Sequence, residues 1–296
     1  MSESTLELVQ AYRRTMTDSI TPSVARLYSH YARLDQEQEG LRIWTDDETK
    51  NLLDHAIKLV EASFIERDRE NGEWKSSMRH AGEILEWLSH PEIGSPGIPS
   101  RLLASAAYQL AGYPARSTGL LAHDARQTDE SLLLRHFLRA DFREVFSGLT
   151  GYWSEIWPSV LRQADRTIHL SQGSDDLSKY IRKVVVDSTL SAMGVLASQM
   201  RWGDETRVDA AIDKLLAVSK FLVHNDDPYS WLLAKMCAMV SSTYVSSSLR
   251  HHLSDLGLDQ RGQEVLERYL RQSYLQCRVL AWPSQVRGIE RLQAME

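Results

Sequence analysis

The sequence has little of what β-proteins and secreted proteins are built from. Its 296 residues include 15 glycines and 8 prolines, too few for the many tight turns of a β-sandwich or barrel. The two cysteines, Cys237 and Cys277, make neither a disulfide framework nor a zinc site. The first residues also lack the basic start and apolar core of a signal peptide. We therefore expect a cytoplasmic protein with reduced, buried thiols.

Long apolar runs and a strong charge of one sign are also missing. The most apolar stretch, 184–190, contains Asp187 and falls far short of the ~20 residues of a membrane span, so we expect no membrane partner. Residues 1–100 carry 18 Asp and Glu against 11 Lys and Arg, and residues 101–296 carry 22 against 23. This balance excludes a strongly basic nucleic-acid module, although a local basic groove is compatible with it.

Catalytic signatures are absent as well. The sequence contains neither the Gly-rich loop that ends in Gly-Lys-Thr/Ser nor a G-x-G-x-x-G motif, both of which cradle phosphates. It also lacks the G-x-S-x-G nucleophile motif. We expect no catalytic residue, metal ligand or cofactor in this chain and no ATP hydrolysis by it alone, and no motif supports an all-helical enzyme.

What the sequence does contain is helical periodicity. Hydrophobic residues make up 43% of the chain, and between polar loops they recur at the three- and four-residue spacing of amphipathic helices. The pattern predicts an all-α fold, an irregular helical array or α-solenoid of roughly ten to twelve helices. It includes single helices over residues 128–146, 228 to about 253, and 262–280.

Loop composition divides this array. Residues 90–99 contain three prolines and two glycines and mark the clearest loop in the chain. We predict an acidic N-terminal helical subdomain at 1–90 and a main array at 100–280. Residues 281–296 form a separate final segment.

Residues 102–121 have the composition of a tight helical hairpin. An Ala-rich helix is stopped by Gly112, and Pro114 starts the next helix almost at once. This resembles the turn of a tetratricopeptide-type hairpin, so such hairpins are one form that the array could take. The sequence shows no sustained 34-residue repeat of that family.

The run Trp282-Pro283-Ser284-Gln285 is unusual near the end of a helical array. It is similar to the segment just upstream of the phosphate-binding loop in superfamily-two helicases, the DEAD/DEAH-box and Ski2-like group. The resemblance implies that Gln285 reads the adenine edge and that Trp282 packs on the base. It further implies that the chain is the amino-terminal helical region of a longer ATP-dependent helicase, with ATP and Mg bound only by a downstream motor. Helicases with such helical regions resemble components of bacterial anti-phage defence systems.

The carboxy-terminal helices offer a second candidate site. Residues 250–291 hold seven arginines against five acidic residues, and arginine suits bidentate contact with phosphate. Adjacent helical histidines point about 100° apart and cannot chelate one ion together. The predicted nucleic-acid contacts are Arg250, His251, His252, Arg261, Arg268 and Arg271.

Two functions stay open at this point. In one, the chain is a non-catalytic accessory domain of a nucleic-acid-dependent helicase and contacts partner proteins or a strand. In the other, it is a stand-alone helical scaffold that binds a peptide or protein on a concave surface. In the second case Trp282 and Pro283 merely end the last helix, and Gln285 is a surface residue.

Overall fold

Regular structure in the computed structural model of the protein is helical. The residues described are 46–67, 73–89, 99–122, 129–156, 174–223, 228–254 and 256–293. Within these ranges there are twelve α-helices and one π-helical turn. The only strand-like pairing there is an isolated antiparallel bridge between Ser248 and Leu280. The all-α prediction is confirmed.

The chain divides into two compact units, residues 1–122 and 123–296. Most of the boundary loop predicted at residues 90–99 lies outside the described residues. The helices of the first unit are α1 (Asp46–Arg67), α2 (Trp74–Trp87), α3 (Ser100–Ala111) and α4 (Pro114–Leu120). Helix α2 packs against both α1 and α3. Gly82 permits the close approach to α3, because a Cβ there would lie 3.0 Å from the Tyr108 ring.

The hairpin of α3 and α4 forms where the sequence predicts it. Gly112 follows α3 in the left-handed conformation, with φ of 86°, which glycine adopts without steric cost. Pro114 occupies the start of α4. Arg116 of α4 forms an ion pair with Glu86 of α2 at 2.9 Å, and the buried Tyr108 hydroxyl donates to the same carboxylate. This shared carboxylate ties α2, α3 and α4 together.

The second unit contains the remaining helices. They are α5 (Asp129–Leu138), α6 (Phe142–Gly151), a π-helical turn (Tyr152–Ile156), α7 (Ser174–Trp202), α8 (Val208–Val223), α9 (Pro228–Ser246), α10 (Leu249–Leu253), α11 (Gln260–Leu275) and α12 (Pro283–Gln293). Helix α7 packs against α6 and α8, and α8 packs against α9. Across the described parts of both units, no helix combines the length and the hydropathy that crossing a bilayer requires.

Tyr244 of α9 is the centre of the second unit's core. Its side chain is 1% exposed, and its ring lies edge-on to Phe137 and Phe142 at centroid distances of 5.5 and 5.3 Å. Its hydroxyl lies 3.1 Å from the Phe137 carbonyl and 3.0 Å from that of Leu138. One side chain therefore holds α9 against the end of α5 and the start of α6.

The single helix predicted over 128–146 is wrong, because it breaks into α5 and α6. Ala140 adopts φ of 57°, which ends α5 in the left-handed conformation. The carboxylate of Asp141 then accepts a hydrogen bond from the Glu144 N–H at 3.4 Å and caps α6.

The two other long helices also end earlier than predicted. The Leu249 N–H donates to the Val279 carbonyl at 2.8 Å, and the Ala281 N–H donates to the Ser247 carbonyl at 2.8 Å. This pairing between residues 247–249 and 279–281 ends α9 at Ser246, whereas α11 stops at Leu275, where Cys277 adopts a positive φ of 55°. The predicted continuations to about 253 and to 280 are therefore wrong.

Candidate functional site

The run Trp282 to Gln285 forms the start of α12. Pro283 takes the first helical position, and the side-chain oxygen of Gln285 accepts a hydrogen bond from the Trp282 N–H at 2.8 Å. Such a contact satisfies a backbone donor that has no partner within the helix. The Trp282 side chain is 57% exposed. The Gln285 oxygen thus caps α12, and its role in adenine binding stays a prediction.

Arg250 has a structural role in the fold. Its guanidinium makes two contacts with the Glu267 carboxylate, at 2.6 and 3.1 Å, which joins α10 to α11. Its side chain also passes so close to Gly203 that a Cβ there would lie 2.7 Å from it. The hydrogen bond from Arg250 holds the pKa of Glu267 below its usual range. Of the predicted nucleic-acid contacts, this residue is the least available to a ligand.

The remaining predicted contacts are divided between two helices. The rings of His251 and His252, on α10, lie edge-on with centroids 5.4 Å apart. Arg261, Arg268 and Arg271 are exposed on α11. No cluster of three or more potential metal ligands occurs in the described ranges. The structure brings these histidines and arginines onto neighbouring helices, and their contact with a nucleic acid stays a prediction.

Between α10, α11 and α12 lies an open groove of about 820 Å³, which we call the α10–α12 groove. It is lined by Leu249, Leu253, Leu258, Asp259, Arg261, Gly262, Val265, Leu266, Tyr269, Gln285, Gly288 and Ile289. Beneath it, Leu249, Leu270 and Ala281 form a buried cluster on which Val286 packs. The groove therefore has a mainly apolar lining above a cluster of buried side chains.

The α11 wall of the groove carries large apolar side chains that face solvent. Leu258 is 38% exposed, Val265 60% and Tyr269 49%. Val265 and Tyr269, four residues apart, lie on one face of α11, and Leu258 lies just before the helix begins at Gln260. Contiguous exposed apolar surface of this kind marks a binding site more often than isolated exposed residues do.

This apolar face was not among the predicted sites. A signal for it exists in the sequence, because residues 258–274 carry one set of apolar residues at 258, 265 and 269 and another at 266, 270 and 274. Only the second set includes buried side chains, namely Leu270 and Tyr274. A helix with one buried face needs only one such stripe, so the additional set at 258, 265 and 269 was the available signal for an exposed apolar face.

A second cluster has the residue types of a cysteine nucleophile but the wrong arrangement. The Cys277 thiol donates to the Asp141 carboxylate at 3.1 Å, and the opposite carboxylate oxygen lies 3.6 Å from the His136 ring. The carboxylate thus lies between the thiol and the imidazole that would activate it. Burial and this hydrogen bond raise the pKa of the Cys277 thiol to about 11. The cluster therefore holds an inert thiol.

No protein-family model matches this chain, and no curated protein matches it in sequence.

Proposed function

We propose that the protein is a non-catalytic helical binding domain whose α10–α12 groove takes up an amphipathic α-helix of a partner protein. The exposed face of Leu258, Val265 and Tyr269 is the observation that supports this proposal most directly. It gives the groove an apolar wall on which the apolar stripe of an incoming helix can pack, as in other helix-in-groove complexes.

The dimensions of the groove suit this occupant. From Gln260, where α11 begins, to Tyr269 the wall is about 14 Å long at 1.5 Å per residue, which corresponds to about two and a half helical turns. The opposite wall is built from Gln285, Gly288 and Ile289 of α12. Gly288 leaves the groove open there, since a Cβ at this position would meet nothing within 4 Å.

A second candidate is the helicase accessory domain that contacts a nucleic-acid strand. It is favoured by one observation, the exposed indole of Trp282 on the same unit as the exposed Arg261, Arg268 and Arg271. Aromatic rings and arginines together bind single strands by base stacking and phosphate contact. Most residues that line the groove are apolar, and a strand would leave them without an apolar partner, which is why we place the protein partner first.

Filling the groove tests the first proposal. The probe is a fluorescent peptide of about 20 residues, long enough to form a helix, with leucines on one face and glutamates beside them. Gly288→Leu should weaken its binding at least about tenfold, because the leucine side chain would occupy the groove. The matched control is Gly119→Leu, at an exposed helical glycine of α4 whose Cβ would also meet nothing within 4 Å.

The same assay separates the two candidates. If Gly288→Leu and the wild type bind the peptide equally, the groove is not the binding site. Single-stranded DNA or RNA that binds with a steep salt dependence, and that is lost in Trp282→Ala, would support the helicase candidate instead.

A further inference from the structure

We propose that the helix occupying the α10–α12 groove is acidic along both flanks of its apolar stripe, so that its carboxylates meet Arg261 and Arg268 on one wall and Arg291 on the other. This inference rests on the proposed function. It adds the chemistry by which the partner would be recognised.

The α11 wall has a basic outer edge. In an ideal helix Arg261 and Arg268 lie about 40° and 60° from Val265, both on the side away from the buried Leu270. Both arginines are exposed, and Arg261 lines the groove itself. Glu264 lies further round, about 100° from Val265.

The two other acidic groups of α11 and its start are already engaged. The Glu267 carboxylate is held by both guanidinium nitrogens of Arg250. Asp259 lines the groove, but its carboxylate accepts a hydrogen bond from the Gly262 N–H at 2.7 Å and caps α11. The cap leaves the Asp259 carboxylate charged, so this wall offers an occupant one negative group at its start and two exposed arginines, Arg261 and Arg268, along its edge.

The α12 wall repeats this arrangement. Arg291 lies about 60° from Gly288 on the side away from the packed Val286, whereas Glu290 points about 160° away from Gly288. Arg291 and Glu290 are both exposed. Both edges of the groove therefore present arginine around an apolar floor, and acidic side chains beside an apolar stripe complement that pattern.

Nucleic acid shares the negative charge but does not fit the groove equally well. A strand could pair its phosphates with the arginines, yet it would leave Val265 and Leu258 without an apolar partner. An acidic amphipathic helix would pack its apolar stripe on the floor and pair its carboxylates with the arginines at both edges. We therefore commit to a protein helix.

Three peptides test the inference. They share one leucine stripe and differ only in the residues beside it, which are glutamate, glutamine or lysine. The wild type should bind the glutamate peptide most tightly and the lysine peptide most weakly, with about tenfold between them at low salt and less at high salt. The double variant Arg261→Glu/Arg268→Glu should reverse this order.

A double variant with the same change of charge serves as the control. Arg207→Glu/Arg278→Glu alters two exposed arginines of the same unit that do not line the groove, and it should keep the wild-type order. Circular dichroism of each variant confirms that the helices are retained.

The outcomes separate the inference from the proposed function. Equal affinity for the three peptides, with Gly288→Leu still blocking them, overturns the acidic partner and leaves the groove function intact. No binding by any peptide overturns both proposals. Competition of the peptide by an oligonucleotide would assign the groove to a nucleic acid. A wild-type dimer that Gly288→Leu dissociates would assign it to a second copy of this chain.

Discussion

The chemistry of individual side chains in this protein is decided by their neighbours more than by their exposure. Cys277 is exposed, so the expectation of buried thiols is wrong for this residue. Exposure would ordinarily open the thiol to alkylation, yet it donates to Asp141 and is partly covered by neighbouring residues. Both effects disfavour the thiolate, which is the reactive form of cysteine.

We predict that Cys277 reacts slowly with iodoacetamide at pH 8. With the pKa of its thiol raised to about 11, the thiolate fraction at this pH is roughly one in a thousand. Asp141→Asn retains a helix cap but removes the negative charge, so the reaction should become several-fold faster. Mass spectrometry of the intact protein measures the rate, and the fully buried Cys237 is the internal control. An equal rate in both proteins would show that Asp141 does not suppress the thiolate.

Tyr244 carries a second prediction at this scale. Tyr244→Phe keeps the aromatic contacts with Phe137 and Phe142 but removes the hydroxyl that bonds the carbonyls of Phe137 and Leu138 at the end of α5. The Phe137 carbonyl keeps the hydrogen bond from the Ala140 N–H, so the change removes the tyrosine hydrogen bonds without leaving that carbonyl unpaired. Urea unfolding should therefore show a loss of about 0.5–1.5 kcal/mol. A variant as stable as the wild type would mean that these carbonyls find another donor.

At the scale of helices, three helix ends share one geometry with different residues. After α3, α5 and α11 the chain adopts a positive φ at Gly112 (86°), Ala140 (57°) and Cys277 (55°). Each end is closed by the same pair of backbone hydrogen bonds, the Schellman motif. The motif favours glycine at the residue with positive φ, yet of these three helix ends only that of α3 has a glycine there.

This difference explains which parts of the fold the sequence could predict. The end of α3 is visible because Gly112 and Pro114 are specific local signals. The end of α5 is hidden, because alanine at position 140 normally favours helix. The end of α9 depends on backbone pairing between 247–249 and 279–281, which no local pattern reveals.

The strained alanine supplies a prediction. Ala140→Gly should raise the free energy of unfolding of the second unit by about 0.5–1 kcal/mol, since relief of left-handed strain exceeds the added entropy of the unfolded chain. Gly112→Ala, in the same motif of the first unit, should lower stability. Thermal unfolding measures both effects, and destabilisation by Ala140→Gly would contradict this reading of the turn.

Helix α12 supplies another prediction, at the point where its first turn is capped. Gln285→Ala removes the acceptor of the Trp282 N–H, so hydrogen exchange over residues 282–288 should accelerate by about two- to tenfold. Gln285→Glu should retain the protection, because a carboxylate accepts the same bond. The neighbouring exposed Ser284→Ala is the control. Unchanged exchange in Gln285→Ala would free this side chain for the adenine contact that the helicase resemblance implies.

At the scale of the whole molecule, the candidate site was harder to predict than the fold. Arg261 and Arg268 were predicted as ligand contacts, and both lie at or beside the groove. The apolar wall between the arginines and the floor was not predicted. Apolar residues in an amphipathic helix are ordinarily assigned to the core, and only the packing of α10, α11 and α12 shows that Val265 and Tyr269 face outward.

Hydrogen–deuterium exchange of the full chain, with and without the glutamate-flanked peptide, tests most directly whether the α10–α12 groove binds a helix. Binding there should slow exchange over 258–269 and 283–293, because both walls become covered and their helices fray less. Other described helices should change little, and Gly288→Leu should abolish the protection while Gly119→Leu preserves it. Protection elsewhere in the chain, or its persistence in Gly288→Leu, would contradict a helix-binding groove at this site.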